Sequence, residues 1–315
     1  MTPESTAGAI LAPPQKATGR SRGTSRGTKG PAATGQATAQ SVVRVALLDL
    51  YKGVANQGMR CLRQQLADAA QRHPAIDLQV TEFDIRGAQQ APDASFDIYV
   101  SSGGPGSPFD GEGEAWESAY FRLLDAVWAH NQGTGPRKHF LAICHSFQMM
   151  CRHFGLAEVE PRRSGSFGIL PVHLTDAGRT DPVMGCLPDP FYGADFREWQ
   201  VLKPRHETIQ AVGASILAIE KERPHVPLER AVMAMRVSPE ILGCQFHPEA
   251  DPEGMQAHFS KTEQRDNIVA KHGQAKYDEI QFRMTEQGSM PRTYGTFIPE
   301  FMRQAVAAVL ASREP

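Results

Sequence analysis

Three residues of this sequence, a cysteine, a histidine and a glutamate, stand where their side chains could act together. Cys144 follows the mostly apolar run 138–143, typical of a buried parallel strand, and precedes a helical pattern over 147–154 that ends at Gly155. A cysteine at such a corner indicates a nucleophile elbow, which exposes the side chain and leaves the next backbone N–H free to bind an oxyanion. The helix dipole also favours a thiolate there. A buried structural cysteine is the alternative, and the local pattern does not decide between them.

A second stretch, residues 243–249, offers a base and a carboxylate. A short apolar strand runs into His247, and Pro248 fixes the backbone between His247 and Glu249. The carboxylate can then hold one imidazole nitrogen while the other nitrogen faces outward. Alone, His-Pro-Glu could be an ordinary loop. Combined with a cysteine about a hundred residues earlier, it indicates an activated thiol nucleophile.

A third stretch is rich in glycine and follows the apolar run 96–100. Gly-Gly-Pro-Gly at 103–106 lets the backbone approach a ligand closely and exposes N–H groups. A tight turn is the alternative. A phosphate-binding P-loop is disfavoured, because its Lys and Ser/Thr are missing.

Strand and helix patterns alternate through the first half of the chain. They predict an α/β fold with an open, mostly parallel sheet and helices on both faces, and all three stretches then lie at carboxyl ends of strands, where such sheets bind ligands. Short strands between 166 and 246 predict a meander that extends the sheet. Polar helical segments are predicted over 252–286, and an amphipathic helix over 301–310, after Pro299, is expected to pack on the sheet.

Composition divides the chain into three parts. Residues 1–40 are rich in Thr, Ser, Ala, Gly and Pro and predict a disordered extension, with an organelle transit peptide as the alternative. Residues 41–250 predict the α/β domain, and residues 251–315 a helical extension packed on it.

Charge and cysteine content restrict the partners and the compartment. The net charge is −2, and the first forty residues hold five basic and one acidic residue, which leaves 28 basic and 34 acidic residues in a mildly acidic body. Nucleic acid is therefore not expected as a partner. Five cysteines without paired short spacings predict reduced thiols in the cytoplasm and no zinc site. No apolar run approaches a membrane span, so no membrane partner is expected either.

Residues 42–250 resemble the class I glutamine amidotransferases with a Cys-His-Glu triad, and are similar to the amidotransferase domain of GMP synthase. Residues 243–249 match the family's Gly-x-Gln-Phe-His-Pro-Glu motif fully, and residues 102–108 resemble its oxyanion loop. Residues 142–148 match Gly-x-Cys-x-Gly-x-Gln in part, because Ala142 and Ser146 replace the two glycines. His145 stands where an apolar or aromatic residue is usual.

The resemblance implies a role for each matching residue. Cys144 would be the nucleophile, His247 the general base and acid, and Glu249 the carboxylate that orients the histidine. The remaining implied positions line the pocket: the backbone N–H groups of the oxyanion hole belong to Gly104 and His145, and the substrate-binding positions are Gly103 and Gln148.

The resemblance also implies a reaction, the release of ammonia from the glutamine side chain through a γ-glutamyl thioester. This hydrolase or transferase chemistry needs neither metal nor organic cofactor, and the ammonia acceptor is expected to be a synthetase on a separate chain. The family's substrate-binding histidine segment has no counterpart near 196–200, so a γ-glutamyl amide or peptide hydrolase stays open. A non-catalytic regulatory module is the third hypothesis. Residues 162–167, with two adjacent arginines, could bind a carboxylate or form a solvated loop.

Overall fold

The computed structural model describes residues 40–54, 56–224 and 227–313. The disordered extension predicted for residues 1–40 therefore lies outside the described residues, apart from Gln40. None of the helices described in these ranges is long and apolar enough to cross a membrane.

A single sheet of nine strands runs through the described part of the chain, in the order β2-β1-β3-β4-β9-β8-β7-β5-β6. Its strands are β1 (Ser41–Asp49), β2 (Ile76–Asp84), β3 (Ile98–Ser101), β4 (His139–Ile143), β5 (Glu158–Leu174), β6 (Phe191–Leu202), β7 (Ser215–Glu220), β8 (Val232–Ser238) and β9 (Ile241–Cys244). The strands from β2 to β9 along this order are parallel, and the remainder, from β9 to β6, pair antiparallel.

Helices connect and cover these strands. Within the described ranges they are α1 (Gln57–Arg72), α2 (Ala115–Asn131), α3 (His145–His153), α4 (Asp176–Thr180), α5 (His206–Val212), α6 (Pro252–Phe259), α7 (Thr262–His272), α8 (Gln274–Arg283) and α9 (Met290–Ala311). Short 3-10 turns occur at Met184–Cys186 and Glu286–Gly288. The predicted α/β fold is confirmed, with a mixed sheet. In its antiparallel half β7, β8 and β9 form a meander, whereas β7 pairs with β5 and leaves β6 at the edge.

The alternating directions of the side chains along β1 show why the sheet needs helices on both faces. Val45 and Leu47 pack into a core with α1 and α9, whereas Ala46 and Leu48 pack into a second core with α2 and α3. Successive side chains of a strand point to opposite faces, so the continuous apolar run 45–48 of β1 must be covered on both sides. A third cluster joins α6, α7 and α8 to the outer strands β5 and β6.

The last helix differs from the sequence-based expectation, because α9 begins at Met290 and contains Pro299 in its interior. A proline there cannot donate a hydrogen bond to the carbonyl one turn earlier, a loss that often ends a helix. Here Phe297, Ile298 and Phe301, which flank the proline, are all buried in the core. Their burial stabilises the helix by about 1.5–3 kcal/mol for each large apolar side chain, enough to offset the lost hydrogen bond.

Candidate active site

The backbone at Cys144 forms a sharp corner between β4 and α3. Cys144 has φ 51° and ψ −101°, a conformation that side-chain-bearing residues rarely adopt. Its backbone N–H donates to the carbonyl oxygen of Cys244 at 2.7 Å, which fixes the corner to the end of β9. Strained non-glycine conformations of this kind persist where the surrounding structure imposes them, and they cluster at active sites.

The close contact between α3 and β9 requires a glycine at position 243. A Cβ atom there would lie 2.5 Å from Cδ2 of Phe147 and 2.6 Å from Cε of Met150. Both side chains are fully buried, so neither has free space to move into. The glycine therefore sets the distance at which the nucleophile helix packs on the sheet.

Ser146, which replaces the second glycine of the family motif, is part of the corner's structure. Its hydroxyl accepts a hydrogen bond from the backbone N–H of Ile143 at 2.7 Å. It also lies 3.0 Å from the carbonyl oxygens of Ser101 and Ile143, to either of which it can donate its proton. Because the side chain is completely buried, these bonds join β3, β4 and α3 just beside the thiol.

The imidazole of His247 is held by the carboxylate two residues later. Nδ1 of His247 lies 2.8 Å from Oε1 of Glu249, and the backbone N–H of His247 donates to the carbonyl oxygen of Ala194 at 2.8 Å. The Glu249 side chain is 1 % exposed and that of His247 is 15 % exposed. The carboxylate is thus enclosed behind a ring whose other nitrogen remains available.

The charge state of His247 follows from these neighbours. Burial alone would lower the pKa of its imidazole, but the nearby Glu249 carboxylate and Cys144 thiol together raise that pKa well above its ordinary value. A charged imidazolium is the form that can pair with a thiolate and donate a proton to a leaving group.

Gly103 lies between the thiol and the imidazole. A Cβ atom at this position would be 2.9 Å from Cε1 of His247 and 3.6 Å from Cβ of Cys144. Any side chain would therefore intrude between the two reactive groups. The structure brings Cys144, His247, Glu249 and Gly103 together in one place.

The glycine-rich loop that carries Gly103 and Gly104 is fixed from two sides. The hydroxyl of Ser102 accepts from the backbone N–H of Leu50 at 2.9 Å, and Nη1 of Arg86 donates to the carbonyl oxygen of Pro105 at 2.7 Å. A Cβ atom on Gly104 would lie 2.8 Å from the carbonyl oxygen of Leu50, so this close approach to the end of β1 also requires glycine.

His145 is the first residue of α3, where backbone N–H groups have no acceptor within the helix. Its side chain is buried, and burial, together with the charges of Arg86 and Arg152, lowers the pKa of the imidazole to about 3. The ring is therefore neutral near pH 7 and does not add a second positive charge to that of His247.

The side chain of Gln148 is buried, and it reaches the thiol only through a second glutamine. Nε2 of Gln148 donates to Oε1 of Gln245 at 3.1 Å and to the carbonyl oxygen of Trp199 at 3.2 Å. Nε2 of Gln245 in turn lies 3.6 Å from Sγ of Cys144. Gln245 was not among the sequence-based candidates. Its position two residues before His247, on the same side of an extended strand end, is the signal that could have identified it.

Tyr51 is a second residue that was not predicted. Its hydroxyl lies against Gly103, 3.2 Å from where a Cβ atom of that glycine would be. Burial, followed by the charges of Glu249 and Cys144, raises the pKa of this phenol well above its ordinary value, so it stays protonated and can donate. Tyr51 directly follows Leu50, just past the carboxyl end of a parallel strand, and this position alone is a weak indication of a functional residue.

Metal binding has no evident place in this arrangement. Within the described ranges no three His, Cys, Asp or Glu side chains are grouped closely enough to hold a metal ion. None of the five cysteines forms a disulfide.

Comparison with solved structures supports the same fold. A glutamine amidotransferase from Thermotoga maritima superposes with a TM-score of 0.59 at 15 % identity, covering 84 % of this chain and 98 % of that one. A glutamine amido transferase from Methylobacillus flagellatus superposes with a TM-score of 0.55 at 13 % identity, covering 88 % and 96 %. At such identities the likeness is one of fold. A search of curated protein sequences found no significant match.

Family membership rests on the sequence itself. The sequence model of the family described as glutamine amidotransferase class-I matches residues 46–265. That range contains the glycine-rich loop, the corner at Cys144 and the pair formed by His247 and Glu249. Because the match covers well over half of the chain, the chain belongs to the class-I glutamine amidotransferase family.

Proposed function

We propose that this protein hydrolyses the side-chain amide of glutamine through a γ-glutamyl thioester on Cys144. The meeting of a thiol, an imidazole and a buried carboxylate at a strained strand-to-helix corner is the observation that carries the proposal. Membership of the family supports an enzyme that acts on glutamine, and the geometry supports Cys144, His247 and Glu249 as its reacting set.

The reaction takes place in two halves. In the first, the Cys144 thiolate attacks the amide carbon, and the backbone N–H groups of Gly104 and His145 stabilise the oxyanion. The His247 imidazolium then gives its proton to the amide nitrogen, the carbon–nitrogen bond breaks and ammonia leaves. Gly103 leaves space for the amide, and Gln148 positions Gln245 beside the thiol through the hydrogen bond between the two side chains.

In the second half, the neutral His247 takes a proton from water, and the resulting hydroxide attacks the thioester carbon. The carbon–sulfur bond breaks, which releases glutamate and restores the thiolate and the imidazolium. Glu249 stabilises the positive ring in both halves. We propose that the ammonia is used by a synthetase on another chain, in the cytoplasm, where thiols stay reduced.

The direct test is ammonia release from glutamine by the purified chain, with the Cys144→Ala variant as the control. Ammonia release that depends on the thiol, and that candidate synthetases consume, is the expected result. Labelling of Cys144 by an electrophilic glutamine analogue, located by mass spectrometry, checks the nucleophile separately. Failure of both would instead favour a non-catalytic regulatory module.

A γ-glutamyl amide or peptide hydrolase is the second candidate, with the same reacting residues. The altered corner favours it, because Ser146 replaces a glycine of the family motif and His145 stands where an apolar or aromatic residue is usual. A panel of γ-glutamyl amides and peptides distinguishes the two candidates. If the panel compounds are hydrolysed and glutamine is not, a γ-glutamyl amide or peptide is the substrate instead of glutamine.

A further inference from the structure

A second cavity of about 500 Å³ opens between β5, the segment after β7 and helix α8. None of the residues that line it belongs to the set around Cys144 and His247. Its walls carry one acidic and several basic side chains, namely Glu220, Arg162, Arg163, Lys221, Arg223 and Lys276. Its volume is within the range of pockets that bind small molecules.

Glu220 is shared by several arginines at the back of this cavity. Its Oε1 lies 2.9 Å from Nη2 of Arg162 and 3.3 Å from Nη2 of Arg197, and its Oε2 lies 3.1 Å from Nη2 of Arg223. Asp195 adds a second carboxylate, 2.9 Å from Nε of Arg197. Three guanidinium groups thus face two carboxylates, and arginine does not lose its proton in proteins.

This excess charge is buried. The side chain of Arg162 is 8 % exposed and that of Glu220 is 3 % exposed. Burial and the neighbouring charge of Arg197 lower the pKa of Arg162, so its positive charge is held at a cost. Nε of Arg223 is buried with no hydrogen-bond partner among the described residues. An anion in the cavity would stabilise the positive charge of Arg162.

Two further cations stand at the cavity wall, Arg163 and Lys221. Neither forms an ion pair within the described part of the chain, whereas Lys276 is paired with Glu279 at 2.9 Å. The cavity and its immediate surroundings therefore hold three more positive than negative groups. A single carboxylate would leave most of that charge uncompensated, but a phosphate-type polyanion matches it and suits the fork geometry of arginine.

We propose that this cavity binds a small molecule through a phosphate-type polyanionic group, at a site separate from the Cys144 pocket. Arg162 and Arg223 bind the anion from the buried side, and Arg163 and Lys221 bind it from the rim. Phe167 and Leu170 also line the cavity and give the carbon part of such a molecule an apolar surface. The site does not depend on glutamine being the substrate of Cys144.

Inorganic pyrophosphate is the probe, measured by isothermal titration calorimetry at low salt. The folded wild-type chain is expected to bind it, and the Arg163→Glu and Lys221→Glu variants are each expected to bind it at least about tenfold more weakly, equivalent to about 1.4 kcal/mol. Arg122→Glu on α2, an exposed position on another face of the protein, makes the same charge change and should leave the affinity unaltered. Circular dichroism checks that each variant is folded.

Each other outcome decides against the proposal. Absence of binding by the wild type, or equal weakening by all three variants, would overturn the site. Glutarate, a dicarboxylate without phosphate, should bind more weakly than pyrophosphate, and equal affinity would overturn the phosphate assignment. The measurement does not use the thiol, so a chain that fails to hydrolyse glutamine can still bind pyrophosphate, and the two failures are distinguishable.

Discussion

Nδ1 of His247 lies 2.8 Å from Oε1 of Glu249, with only Pro248 between the two residues in the chain. The proline restricts the backbone, so the carboxylate reaches the ring without a long flexible connection. The pair therefore fixes both the orientation and the charge of the imidazole that faces Cys144.

The first prediction concerns the carboxylate. The Glu249→Gln change removes the charge that most strongly opposes the effect of burial, so the pKa of His247 should fall. Turnover of glutamine should fall roughly 10²–10⁴-fold, the range for a positioned acid or base. NMR titration of the imidazole measures the pKa, and Glu253→Gln, an exposed glutamate on α6, is the matched control. An unchanged pKa would mean that the carboxylate does not set the ring's charge.

The second prediction concerns stability and pH. The folded-state pKa of His247 is raised above the ordinary histidine value of about 6.5. The imidazolium therefore stabilises the fold fully below about pH 6.5, and this contribution is lost as pH rises through the raised value. Urea unfolding of the wild type and His247→Gln from pH 6 to pH 9 should show a wild-type advantage that shrinks with pH. A constant difference would contradict a raised pKa.

The third prediction separates the chemistry of Cys144 from its backbone strain. Cys144→Ala should lower glutamine hydrolysis by about 10⁴-fold or more, as expected for a nucleophile acting within such a unit. Cys144→Gly should be equally inactive but more stable than the alanine variant by about 1 kcal/mol, because glycine adopts φ 51° without strain. Denaturant melts compare the two. Equal stabilities would show that the corner is not strained.

The fourth prediction concerns the buried hydroxyl of Ser146. Ser146→Ala leaves the N–H of Ile143 without its acceptor and should destabilise the fold by about 1–3 kcal/mol. Ser118 provides the control, since its hydroxyl bonds the carbonyl of Glu114 on an exposed helix surface. Ser118→Ala should change the free energy of unfolding by less than about 0.5 kcal/mol. Equal destabilisation by the two substitutions would mean that the hydrogen bonds of Ser146 stabilise the fold no more than those of an exposed serine.

The fifth prediction uses two glycines with opposite surroundings. Gly243→Ala places a methyl group against Phe147 and Met150 and should cost about 1–3 kcal/mol by overpacking. Gly295→Ala in α9 meets nothing within 4 Å and should be neutral or stabilising by up to about 1 kcal/mol. Thermal melts of both variants test this contrast. Tolerance of alanine at 243 would mean that α3 can shift on the sheet.

The sequence predicted the corner at Cys144 because its signal is local. An apolar strand, Cys144 and a helix follow one another without a gap, and the motif at 243–249 is likewise one continuous stretch of sequence. The α/β fold followed from the same alternation. These features depend on neighbours along the chain, which a sequence displays directly.

Gln245 and Tyr51 were missed because their importance comes from long-range packing. Tyr51 reaches Gly103 only after β1 and β3 have paired, and Gln245 meets Gln148 only after α3 has packed on β9. The early start of α9 was missed for a related reason. Burial of Phe297 and Ile298 outweighs a proline signal that is unfavourable when read locally.

The ring of Phe297 on α9 meets that of Phe246 edge to face, with centroids 5.4 Å apart, and Phe246 directly precedes His247. An expression plasmid whose reading frame stopped at residue 265, where the family match ends, would delete this aromatic support. Such a truncated protein would keep every motif residue. The apolar surface that α9 covers, next to His247, would be exposed to solvent, and the protein would be prone to aggregation. Recombinant versions of this protein should therefore run through Ala311.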